Sequence, residues 1–149
     1  MWQKQATKNV HHSIKFMSFD HIALKQTSDK KLVYTAMTKH LFYYRMHVSK
    51  FVIENDAVPL NPFMIYEYFL LDSVDRDLVR AGNNTIVRKC DEIWVFEPIS
   101  NGVLAEIKIA KENNKKIKYF RIAKPHAIIP CTKEEVEMEK EVEEFRNEL

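Results

Sequence analysis

The chain has 149 residues, a length that suits one domain with an ordinary core. Hydrophobic residues make up 46% and charged residues 30%, and the net charge of +2 is spread over interleaved acids and bases, which argues against a nucleic acid polymer or an anionic membrane as partner. No apolar run approaches the length of a membrane span, and residues 1–5 lack the apolar core of a signal peptide.

Residues 1–30 read as an N-terminal extension. Residues 13–25 partly alternate, which fits a strand or hairpin packed on the core or on a partner subunit. The His11-His12 pair raises the question of a metal, but neighbouring side chains on a strand point to opposite faces, so no metal is expected. The core pattern starts at Lys31. Residues 32–36 read as a first strand, buried on both faces. Residues 40–54 read as a helix, because Leu41, Tyr44, Val48, Phe51 and Val52 make one apolar stripe. Residues 57–60 form a short second strand, in which Pro59 favours an edge. Asn61-Pro62 opens a helical stretch, 63–71, dense in aromatics: Phe63, Tyr66, Tyr68 and Phe69. A further helix runs from Val74 or Asp75 to Lys89. Residues 92–96 make the third strand, 102–113 the next helix and 117–122 the fourth strand. Thr132, with Glu135 three residues on, forms a capping box and predicts an acidic C-terminal helix over 132–149, with Val136, Met138, Val142 and Phe145 as its partial apolar face.

Strand and helix alternate, so the expected class is α/β: a single three-layer domain over 31–149, with a parallel sheet of four to five strands and helices on both faces. Cys90 and Cys131 make no disulfide framework and read as reduced thiols in a cytoplasmic setting. With only Gly82 and Gly102 in the whole chain, glycine-rich phosphate cradles are absent.

Four groups could carry chemistry. Glu106 follows a strand and a short loop in which Gly102 is expected to make the turn, and it falls in the first turns of a helix, where open α/β sheets bind ligands. The amides near Val103 to Ala105 lack helical partners and suit an anion, and Ser100 adds a hydroxyl. The alternative is an acid favoured only by the helix dipole. Asn83 lies on the apolar stripe of its helix, between Val79 and Val87, where it either bonds the backbone or points at a ligand. The loop after the first strand offers hydroxyls from Thr35 and Thr38 and positive charge from Lys39, His40 and Arg45. The aromatic cluster at 63–69 fits base stacking or, more simply, packing.

Several segments together resemble a known family: Val33-Tyr34-Thr35-Ala36, Asp91-Glu92-Ile93-Trp94-Val95-Phe96, the spacing Ser100-x-Gly102-x-x-x-Glu106-Ile107-x-x-Ala110, and Lys116-Ile117. They look like the nucleoside 2-deoxyribosyltransferases, and more closely their 2'-deoxynucleoside 5'-phosphate N-hydrolase branch, over about residues 31–122. The resemblance implies a flavodoxin-like sheet and cleavage or transfer of an N-glycosidic bond. It makes Glu106 the nucleophile, with Tyr34 to orient it, and the expected catalytic set adds Asn83, which with Tyr34 would orient the nucleophile or the sugar. Ser100, Gly102 and the first loop (Thr35, Thr38, Lys39) would hold a 5'-phosphate. It implies a small nucleoside or nucleotide as partner, no cofactor, and a homodimer or larger homo-oligomer. Two features depart from the family. Asn83 aligns with an aspartate that assists the leaving base, and the first loop lacks a glycine. The alternative expectation is a module of the same fold that binds nucleotides without turning them over.

Overall fold

The central strands form because most of their residues are β-branched or aromatic and are buried from Val33 onward in the first and throughout the second. β1 (Lys31–Ala36) and β3 (Glu92–Phe96) lie side by side in the middle of the sheet, and every residue of β3 is buried. The computed structural model describes residues 14 and 16–149, so the His11-His12 pair lies outside the described residues. β2 (Ala57–Leu60) flanks β1, and β4 (Lys116–Ala123) flanks β3, all in parallel. β5 (Ala127–Cys131) closes the far edge, giving the order β2-β1-β3-β4-β5. That order is the flavodoxin-like one. The expectation of a purely parallel sheet needs one correction. β5 runs antiparallel to β4, because only residues 124–126 join them and a parallel partner needs a long crossover. Pro59 and Pro130 both fall on edge strands, where a missing amide hydrogen costs no ladder bond.

Helices cover both faces. α1 (Arg45–Glu54), entered through a 3-10 turn at Lys39–Tyr44, packs on the side to which Val33, Trp94 and Phe96 point. The other side receives Tyr34, Ile93 and Val95, against α4 (Arg76–Lys89) and α5 (Asn101–Glu112). The short α2 (Pro62–Ile65) and α3 (Glu67–Ser73) connect β2 to α4 in place of one helix over 63–71. Caps set the starts: Asn61 accepts from Phe63 N, Asp75 from Asp77 N and Ser100 from Val103 N.

Two expected elements are absent. Residues 132–149 do not form a helix. The capping box at Thr132 does form, with Thr132 and Glu135 bonding each other's amides. The chain then extends, and Ile99 bonds both Glu137 O and Glu139 N, making a bridge to Met138. The decisive pattern was Val136 and Met138, two apart, which suits an extended segment with one buried face. Only a 3-10 turn, Glu143–Glu148, comes after it, and Val136, Met138, Val142 and Leu149 pack into the α4–α5 core. At the other end, the described residues before β1 contain no strand. His21 Nδ1 accepts from Ala23 N and starts a 3-10 turn, Ile22–Lys25, within the alternating stretch. Phe16, Met17 and Phe19 stay exposed there.

Candidate active site

The strand order reverses between β1 and β3, so the connections leaving their carboxyl ends diverge and open a crevice. A cavity of about 430 Å³ lies there. The loop after β1 contributes Met37, Thr38, Lys39 and His40; the start of α5 contributes Ser100 to Val103; α5 adds Glu106. Arg76 and Arg80 of α4 form one wall, and Glu139 and Glu141 of the C-terminal segment form another. A second cavity of about 290 Å³ shares Lys39, Arg76 and Arg80 with the first. Its remaining lining is mostly apolar: Phe42, Phe63, Leu71 and Val79, with Asp72. Phe42 and Phe63 meet edge to face at 5.6 Å.

Glu106 is half-buried, in the second turn of α5, with its carboxyl on the floor of the larger cavity. Tyr34, fully buried in β1, donates its hydroxyl to Glu106 Oε1 at 2.7 Å. Removal from water pushes the carboxyl pKa up to about 7, although the Tyr34 hydrogen bond works the other way. The tyrosine hydroxyl is held well above its usual range by burial and then by the carboxylate beside it. Near neutrality Glu106 therefore exists in both forms, able to attack or to take up a proton.

Ser100 caps α5 by accepting from Val103 N, which leaves its O–H and a second lone pair for a ligand. Gly102 does not make the turn: it lies within α5 and no glycine here has positive φ. An added Cβ there would meet nothing nearer than Ser100 Oγ at 4.0 Å, so the start of α5 faces open space at this point. Thr38 accepts from His40 N and donates to Glu139 Oε1 at 3.4 Å, which ties the first loop to the C-terminal segment.

The structure brings Glu106, Tyr34, Ser100, Gly102, Thr38 and Lys39 together and separates two others from them. Thr35 is fully buried and its hydroxyl has no partner. It follows Tyr34 in β1, so the strand's alternation turns it to the α1 face. Asn83 does not line the cavity, and its Oδ1 is buried without a partner. Sequence reasoning missed Arg76 and Arg80 as cavity residues. Their signal was spacing: Arg76, Val79, Arg80 and Asn83 share one face of α4. Glu139 and Glu141 were hidden by the helix expected over 132–149. Of the aromatic cluster, Phe63 lines the apolar cavity, and the Tyr66 hydroxyl lies so close to Gly82 that a Cβ there would sit 2.0 Å from it.

Among the described residues, no group of three or more His, Cys, Asp or Glu side chains is placed to hold a metal ion, and no helix is long and apolar enough to cross a membrane. A family described as a domain of unknown function (DUF7768) matches residues 33–120. The chain belongs to that family. The DUF7768 match runs from β1 to β4 and takes in Tyr34, Ser100 and Glu106. No curated protein matches the chain. Among solved structures, a 2-desoxiribosyltransferase from Leishmania mexicana is similar, with a TM-score of 0.50 at 22% identity. The similarity covers 62% of this chain and 65% of that one, and it concerns the fold. This DUF7768 protein thus has the α/β architecture of a deoxyribosyltransferase around its own set of cavity residues.

Proposed function

We propose that the protein cleaves or transfers the N-glycosidic bond of a nucleoside or nucleotide, with Glu106 as the nucleophile. The observation that carries this reading is the Tyr34–Glu106 hydrogen bond, which presents a half-buried carboxyl to a cavity at the strand switch point. In the reaction, a Glu106 oxygen attacks the anomeric carbon, and the bond to the base breaks with its electron pair leaving on the base. The base takes a proton from water, and the resulting ester is released by water or by a second base. Tyr34 fixes the attacking oxygen, and the apolar cavity with Phe42 and Phe63 takes the base. Ser100, the open amides at Gly102, Thr38 and Lys39 take a phosphate. Attack requires the ionised acid, so the rate rises with pH through about 7. The proposal extends to a homo-oligomer acting in the cytoplasm. Incubation with 2'-deoxynucleosides and their 5'-monophosphates, with chromatography for free base, tests it. Base release by the wild type and none by Glu106→Ala is the expected result. No release at high enzyme concentration, with the two proteins indistinguishable, removes the proposal.

One observation favours a second reading, in which the pocket binds a nucleotide and leaves it intact. Asn83 cannot donate a proton as a carboxylic acid does, and it does not line the cavity. Thermal stabilisation by nucleotides with no product by mass spectrometry would select this alternative.

A further inference from the structure

The wall between the two cavities carries more positive charge than one phosphate at the start of α5 engages. Lys39, Arg76 and Arg80 border both cavities, whereas Ser100 and Gly102 border only the larger one. Val79 is buried between the two arginines on α4, one turn or less from each, and this anchors their face of the helix toward the cavities. Among the described residues, Lys39 and Arg76 have no ion-pair partner. Arg80 pairs only with Asp77, and both of those side chains are largely exposed, so that pair constrains it weakly. Three cations at one junction repel one another until an anion lies between them. The acids of the same cavities stand elsewhere: Glu139 and Glu141 on the C-terminal wall, Glu106 on the floor and Asp72 in the smaller cavity. Asp72, Glu106, Glu139 and Glu141 make no ion pair with the three cations. Their charge drives an anionic group toward α4, where planar guanidinium forks suit phosphoryl oxygens.

We propose that Lys39, Arg76 and Arg80 form an anion subsite of their own, separate from the start of α5, and that the ligand carries two phosphoryl groups, as a nucleoside diphosphate does. The inference rests on the nucleotide reading above and goes further by assigning a second charged group and the side chains that hold it. The larger cavity then binds one phosphoryl group at the Ser100–Gly102 amides and the next one against α4, with Lys39 between them.

Calorimetric titration of the full chain with inorganic phosphate, inorganic pyrophosphate, and a 2'-deoxynucleoside with its mono- and diphosphate tests this. The wild type should bind the diphosphate at least tenfold more tightly than the monophosphate, and pyrophosphate more tightly than phosphate. R76Q/R80Q should erase both differences, and Glu141→Gln should tighten diphosphate binding about threefold. The arginines are exposed, so the double variant folds, and its unfolding transition checks that. Equal affinity for mono- and diphosphate in the wild type, or a preference that survives R76Q/R80Q, overturns the subsite. Base release that depends on Glu106 without diphosphate preference sinks the subsite and leaves the proposed function standing. Arginine-dependent pyrophosphate binding with no affinity for any nucleoside compound keeps the anion subsite, but it ends the assignment of a nucleoside diphosphate and the function on which that rests.

Discussion

Replacing Glu106 by glutamine should stabilise the protein, and the gain should depend on pH in a defined way. In the folded chain the carboxyl titrates near 7 against an ordinary value of 4.5. A raised pKa means that the folded state holds the proton more tightly than the unfolded state does. The contribution to stability is therefore fully present below about 4.5 and is lost as pH rises toward 7. The difference of about 2.5 units corresponds to about 3 kcal/mol, nearly all of it lost by pH 7. Glutamine fills the same volume, never ionises, and can still accept the Tyr34 hydrogen bond. Urea denaturation of both proteins from pH 4 to 9 gives the comparison. The two should nearly coincide at pH 4, diverge between 4.5 and 7, and run parallel above 7 with the variant about 3 kcal/mol more stable. A gap that does not vary with pH would refute the assignment of a carboxyl whose pKa is raised by desolvation. The same variant should release no base, so activity and stability trade against each other at one atom pair.

Other outcomes rest on the same geometry. Tyr34→Phe removes the one donor that lowers the Glu106 pKa, so the midpoint of base release against pH should move alkaline; an unmoved midpoint would show that the hydroxyl does not tune the acid. Glu92 is buried at the opposite rim, where burial opposes its charge. Hydrogen bonds from Lys31 and Trp94 and the nearby Lys118 nevertheless bring it to about 2. Its stabilisation is present above 4.5 and is lost as pH falls to about 2. Glu92→Gln should cost about 2 kcal/mol at pH 7, discounted for the exposed Lys31, and the cost should vanish on acid titration followed by circular dichroism. Thr35→Val removes a buried hydroxyl without a partner and should stabilise by up to about 1 kcal/mol in thermal unfolding while leaving nucleotide affinity unchanged; weakened binding would place Thr35 back in the site.

The strands and the long helices could be read from composition and spacing, because burial on both faces leaves β1 and β3 few polar residues to blur them. Ser100 and Glu106 could be picked out because a cap and an acid at fixed spacing leave little freedom in where they meet, whereas Tyr34 could be reached only through the family resemblance, since its partner Glu106 lies 72 residues on. Thr35 could not be placed, since a shift of one residue along a strand exchanges faces. The tail misled because Thr132 and Glu135 form a true local cap, while two ladder bonds to Ile99, contacts distant in sequence, set the path of the chain beyond it. Arg76 and Arg80 look like any solvated helix face until the loop after β1 is set beside them.

The backbone bonds from Ile99 to Glu137 and Glu139 give the cavity two unequal sides. Glu97, nearly buried, adds to the fixed side by accepting from Glu137 N at 3.0 Å. That flank is main chain clamped to main chain, whereas the facing flank ends in long, solvated lysine and arginine stems. Under the proposed function, ligands of different length would be met by swinging stems on the helix side while the tail keeps its shape, as in a vice with one fixed jaw.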